Sequence, residues 1–259
     1  MELGDRYECE FWEAGCLLWV GAKDHGGLSY ETVCEQLWGM DPAGFTTSLL
    51  DLKIFLPMGL YQDDGYRVRV VIGDLNDQEA TEWVAMVRWQ LDLSCGAMLI
   101  SGILGDGHEV DLIPDIESLD PSTLDCLECY VRVPQGIYQV EVYSYPPGDL
   151  STGWGQIVNP QLFSPTSGIG SENLANYFHR TRPGQEPPLW ITCDILDDHE
   201  ATASEIKYVD FVVRLMPLNL EQSQSMLPPN FNAMGGEVLW NFRKPDLCPL
   251  GILANDQVN

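Results

Sequence analysis

Cys129-Tyr-Val-Arg-Val-Pro-Gln-Gly-Ile-Tyr-Gln-Val-Glu-Val-Tyr-Ser-Tyr145 reads as two β-strands joined by a tight turn. Cys129, Val131 and Val133 alternate with Tyr130 and Arg132; Tyr138, Val140 and Val142 alternate with Gln139 and Glu141. A period of two puts each apolar set on one face of a sheet. Pro134 suits the second turn position, where φ is pre-set, and Gly136 the fourth. The valines are expected in a core. The other face carries Ile137, Tyr143 and Tyr145 beside Gln139 and Glu141, so some covering is expected there too.

Working outward, the same signals recur. Val87, Trp89, Leu91 and Leu93 alternate with polar residues, Ser94-Cys-Gly96 turns the chain, and Ala97 to Leu104 returns as a second hairpin. Strands are predicted at 16–22, at Leu50 to Leu56, at Tyr66 to Ile72, at Leu189 to Leu196 and at Ile206 to Met216. Pro57-Met-Gly-Leu-Tyr61 has the form of Pro134-Gln-Gly-Ile-Tyr138; the pair fits an internal duplication and also fits two unrelated turns of one type. Short helices are predicted from Ser29 to about Trp38, ended by Gly39 and Asp41-Pro42, and from Ser171 to Phe178. Asp74 to Glu82 reads as an acidic loop, and residues 148–170 as a long Gly/Ser/Pro/Asn-rich loop. The expected fold is all-β: an antiparallel β-sandwich with two short helices over 1–220, and a C-terminal extension over 221–259 laid on the surface and covering a sheet edge.

Charge is the outlier. Of 259 residues, 13 are Lys or Arg and 39 are Asp or Glu, a net charge of −26. With so few cations to displace counterions, nucleic-acid and anionic-membrane binding are both disfavoured. A basic protein would be attracted, at a rate that falls with salt; the same acidity also serves solubility alone. No stretch has the length of a transmembrane helix, and Cys16-Leu-Leu-Trp-Val20 lacks the positive flank of a signal peptide, so a cytoplasmic setting with reduced thiols is expected.

No constellation for catalysis stands out. Cys126-Leu-Glu-Cys129 is a lone CxxC without a second ligand pair, and Glu128 disfavours a thiolate there; inert thiols are expected. Asp197-Asp-His-Glu200 lacks metal-ligand spacing and reads as an exposed acidic loop. His25 follows Asp24 and His108 precedes Glu109, with no nucleophile aligned to either. Trp89 belongs to a strand's apolar face, whereas Trp154, in a glycine-flanked loop, is the one tryptophan suited to a binding surface. Neither a metal nor a cofactor is expected.

From about residue 80 to 150 the order of features resembles the competence protein J family: an acidic loop, a hairpin over Glu79 to Leu104, a strand over Tyr130 to Val133, Pro134-Gln-Gly-Ile-Tyr138, and a strand from Gln139 to Pro147. The resemblance covers about a third of the chain and rests on a turn signature. It implies a β-sandwich that inhibits a nuclease by binding it, without catalysis.

The expected function is therefore that of a non-enzymatic acidic binding protein, an inhibitor or immunity-type partner of a basic protein such as a nuclease or toxin. The expected contact residues lie in 106–128, a stretch without a base: Asp106, Glu109, Asp111, Asp115, Glu117 and Asp120. The alternatives are a small-molecule or carbohydrate-binding module around Trp154, and a homo-oligomer subunit that buries Tyr143 and Tyr145 against a neighbour.

Overall fold

The computed structural model describes residues 4–12, 17–29, 32, 41–60, 65–102, 128–147, 174–192, 207–219 and 226–255. These are mostly strand, arranged in two main sheets. The larger has six strands in the spatial order β1 (Arg6–Trp12), β4 (Gly65–Ile72), β10 (Phe211–Pro217), β8 (Ile137–Ser144), β5 (Ala85–Asp92) and β11 (Asn241–Phe242). The smaller runs β3 (Phe55–Gly59), β2 (Leu17–Ala22), β6 (Ala97–Ser101) and β7 (Glu128–Arg132). A short pair joins β9 (Tyr208–Val209) to β12 (Ile252–Leu253). Neighbours are antiparallel except β4 and β10, which run parallel. The larger sheet is thus mixed, not purely antiparallel as expected, because alternation marks a strand's faces and carries nothing about its partner's direction.

Both predicted hairpins are corners. β7 pairs with β6, and β8 pairs with β5 and β10, so β7 and β8 lie in different sheets. The two corners lie side by side: Leu93 N–H donates to Gly136 O (2.9 Å) and Val133 N–H to Gly96 O (3.0 Å). One long antiparallel ribbon therefore bends from the larger sheet into the smaller. Gly136 has φ of 159°, far from the left-handed turn geometry, whereas Gly96 at 78° does adopt it. Inward faces stay inward through the bend. Met98, Ile100, Cys129 and Val131 from the smaller sheet share one core with Val87, Leu91, Val140 and Val142 from the larger. That shared core is what the alternation in 129–145 reports.

The second face of β8 is covered as well, and by the chain itself. Tyr143 and Tyr145 pack with Val71, Val209, Val212 and Ile252, and Tyr145 Oη donates to Glu79 O (2.5 Å). No neighbouring copy is needed to bury them.

Further departures have local causes. β1 was not among the predicted strands; its Glu8 and Glu10 meet Arg67 and Arg69 on β4, so its polarity is satisfied across the ladder. Asp41-Pro42 begins a helix instead of ending one. In α1 (Pro42–Asp51) Asp41 Oδ1 accepts from Gly44 N–H (2.9 Å) and proline occupies the first turn, a start signal as good as the stop it resembles. The strand predicted from Leu50 accordingly begins only at Phe55, after Lys53 breaks the helix at φ 58°. Pro57 lies inside β3 at the sheet edge, where a missing N–H is tolerated, so the two Pro-x-Gly segments differ in conformation. The acidic loop holds α2 (Asp77–Glu82), closed by an Asn76/Glu79 capping box. α3 (Leu174–Thr181) matches the helix predicted there, and Ser29 Oγ accepts from Thr32 N–H (3.1 Å) as predicted for a cap; the rest of that first helix lies outside the described residues. Leu189 opens a helical turn, α4 (Leu189–Thr192), not a strand: three apolar residues in a row carry no period, and the rest of that predicted strand lies outside the described residues. Asp210 splits the last predicted strand. Val209 joins the tyrosine cluster, while Phe211, Val213 and Leu215 face the main core. The C-terminal segment covers edges as expected: β11 pairs with β5, and Val238 N–H donates to Pro57 O (2.6 Å) beside β3.

Candidate functional site

Asp106, Glu109, Asp111, Asp115, Glu117 and Asp120 lie outside the described residues, as do Cys126, His108, Trp154 and Asp197 to Glu200. The two ends of their segment are placed, however. Ser101 and Glu128 are cross-strand partners, so residues 103–127 are the connection of the true hairpin, β6–β7. Residues paired across strands share a face. At this root Pro57, Trp19, Ser101 and Glu128 form a row, and Phe55, Gly21, Leu99 and Tyr130 form the next. Trp19, Phe55, Leu99 and Tyr130 make a buried patch with Phe45 and Leu49 of α1. Gly21 is required there, because a Cβ would come within 1.9 Å of the Phe55 ring.

Polar groups border the patch. Tyr130 Oη donates to Glu128 Oε2 (2.5 Å), Lys23 Nζ sits 4.7 Å from the Tyr130 ring centroid, and the His25 ring lies 5.5 Å from Phe55. Burial lowers the His25 pKa, against the opposing pull of Glu128 and Asp24. Trp19 Nε1 is buried without a hydrogen-bond partner. Lys23, Asp24 and His25 are consecutive and follow β2 directly, while strand register brings Trp19, Phe55, Glu128 and Tyr130 beside them.

The charges divide unevenly. All 13 Lys and Arg lie in the described residues, together with 17 of the 39 Asp and Glu; the other 22 acids lie in the remaining segments, which hold no Lys or Arg. The described scaffold is thus only four acids from neutral, and the rest of the −26 belongs to those segments. The scaffold also engages its bases. Arg69 binds Glu8 (2.5 Å) and Glu79 (2.9 Å); Arg6 binds Glu79 (3.1 Å). Arg88 and Arg214 hold the buried Glu141 (2.7 and 3.2 Å), and Arg182 holds Glu82 (3.2 Å). Arg67 and Lys207 reach Glu10. Arg243 stacks on Trp83 at 3.5 Å, and Arg180 and Lys244 lie over Tyr177. Burial opposes the charge on Glu79, yet hydrogen bonds from Arg6, the Asn76 N–H and Arg69 outweigh it and lower its pKa.

Glu10 and Lys207 are about half exposed, but Glu8, Glu79, Glu82 and Glu141 are largely buried carboxylates held by arginine, and not a base poised beside a nucleophile. Among the described residues no group of three or more His, Cys, Asp or Glu could hold a metal, and no helix is long and apolar enough to cross a membrane. Cys129 is buried, its Sγ donating to Glu10 O (3.1 Å). Trp89 is in the core as expected, its Nε1 donating to Leu50 O (3.0 Å).

No protein-family model and no curated protein matches the chain. Two solved structures do. One, described as crocagin biosynthetic gene J, is 11% identical at a TM-score of 0.39, over 83% of this chain and 99% of that one. The other is ComJ from Bacillus subtilis, described as the inhibitor of the DNA degrading activity of NucA; it is 6% identical at a TM-score of 0.36, over 84% of this chain and all of that one. The family that residues 80–150 resemble in sequence thus recurs among the structural matches. Identities and TM-scores this low carry nothing about function.

Proposed function

We propose that this protein is a non-enzymatic, cytoplasmic binding protein that neutralises a basic protein, a nuclease or toxin, through the acidic connection 103–127 displayed from a curled β-sandwich. The observation that carries the reading is the partition of charge: a scaffold that engages most of its arginines internally, and base-free segments that hold 22 acids. Such segments have no cation of their own to satisfy, so a basic surface is their natural complement. The connection starts and ends on the paired β6–β7 root, so its two ends are fixed before binding, which limits the freedom lost on binding. The inhibitor role is what the sequence resemblance to the competence protein J family implies.

The test is affinity capture from native lysate with the bound proteins identified by mass spectrometry. A basic protein should be captured at about 0.05 M salt and largely lost at about 0.5 M, as screening requires. Changing Asp106, Glu109, Asp111, Asp115, Glu117 and Asp120 together to Asn or Gln should abolish its capture. Capture that is unchanged by the six substitutions overturns the proposal.

A further inference from the structure

Leu250–Asn255 crosses the outer face of the larger sheet, and its backbone is held largely by side chains from distant elements. Glu82 Oε2 accepts from Leu250 N–H (2.8 Å) and Gly251 N–H (3.1 Å). Trp190 Nε1 donates to Leu250 O (2.9 Å), and Gln78 Nε2 to Gly251 O (3.1 Å). Arg69 Nη2 donates to Leu253 O (2.8 Å), and Glu8 Oε2 accepts from Asn255 N–H (3.0 Å). Backbone partners are confined to the two residues of β12, paired with β9, and to Ala254 N–H, which donates to Lys207 O (3.1 Å). A strand integral to a sheet gains its hydrogen bonds from a backbone ladder. A peptide in a recognition groove combines a short ladder with side-chain clamps, and alternate side chains enter pockets.

The side chains follow that second pattern. Ile252 is buried among Val71, Tyr143, Tyr145, Val209 and Val212, while Leu253 points out and is 40% exposed. Ala254 is fully buried. Gly251 has φ of 90°, and a Cβ there would lie 2.7 Å from Tyr208 Cδ1 and 3.1 Å from Pro146 O, so that position admits glycine alone.

We propose that the groove between α2, α4, β9 and the outer face of β1 and β4 is a binding site for an extended peptide of the pattern Gly-Ile-x-Ala, and that Leu250–Asn255 is the chain's own ligand for it. No residue of the site belongs to the acidic connection 103–127. Its occupancy in cis keeps the apolar pocket of Tyr143 and Tyr145 closed, and a segment of the same pattern would compete for it.

The experiment uses the full chain with a specific protease site placed at the exposed Asp246-Leu247. After cleavage, native mass spectrometry should find the C-terminal fragment still bound. A labelled synthetic peptide of residues 248–255 should then displace it, with far-UV circular dichroism unchanged. The same peptide carrying Gly251→Val should exchange at least tenfold less well, as should the wild-type peptide on a Glu82→Gln protein. In the uncut protein, amides of 250–255 should exchange with deuterium at least tenfold faster than those of β8, since a ligand opens locally. A fragment that cannot be displaced, unfolding on cleavage, equal exchange by the Gly251→Val peptide, or protection in 250–255 equal to that of β8 would each overturn the proposal.

Discussion

Glu79 shows how much one side chain organises. It caps its own helix by accepting from Asn76 N–H (2.9 Å), binds Arg6 and Arg69, and offers its carbonyl to Tyr145. Its side chain is fully buried and that of Arg69 nearly so; without the carboxylate Arg69 keeps only Glu8 as a charged partner, and Arg6 loses its own. Glu79→Gln should therefore cost about 1–3 kcal/mol, the range for hydrogen bonds to charged groups lost in a buried site, read from urea unfolding at neutral pH. The folded pKa lies below the unfolded one, so the stabilisation is present above the ordinary carboxylate range and is lost as pH falls through the lowered value. The wild type should lose stability more steeply than the variant below about pH 4.5, and parallel curves would refute the role. The capping box is legible in Asn76-x-x-Glu79, but a six-residue helix inside a run of acids has no apolar period to announce it. The arginine partners are legible only in space, since Arg6 and Glu79 are 73 positions apart.

At the scale of elements, the sequence located most strands and misassigned their partners. Val87 to Leu93 and Tyr138 to Val142 alternate over a face that does reach the core. Yet Pro134-Gln-Gly136 and Ser94-Cys-Gly96 mark changes of direction, and a corner between sheets and a hairpin within one ask for the same residues. What distinguishes them is the partner strand, which no local pattern encodes. The candidate site shares this limit: the acids of 103–127 are obvious in the sequence, but their origin at the β6–β7 root follows only once those two strands are seen to pair. The corner gives its own expectation. Gly96 sits at φ 78° with Gln135 Cγ 3.3 Å from where a Cβ would be. Gly96→Ala should destabilise by about 1–2 kcal/mol, the cost of a left-handed L-residue. Equilibrium urea unfolding should show a lower midpoint with an unchanged slope, because the bend remains and only its strain rises. A stabilised or unaffected variant would mean that the corner does not depend on glycine.

For the whole molecule, the uneven charge sets how stability answers to salt. The scaffold's ion pairs are mostly buried and short, and mobile ions screen them little. The 22 acids of the other segments have no base among them, and added salt weakens repulsion between like charges. The two contributions oppose each other, and the repulsion, summed over 22 like charges, should dominate the response. Thermal unfolding followed by calorimetry should show Tm rising between about 0.01 and 0.15 M sodium chloride, over which the Debye length shrinks from roughly 30 to 8 Å. Changing the six acids Asp106, Glu109, Asp111, Asp115, Glu117 and Asp120 to their amides should raise Tm at low salt and flatten that rise. This separates repulsion from binding, because it is read on the isolated protein with no partner present. A Tm that falls as salt is added would place the balance in the scaffold's ion pairs instead, and the base-free segments would then be electrostatically inert in the unbound protein.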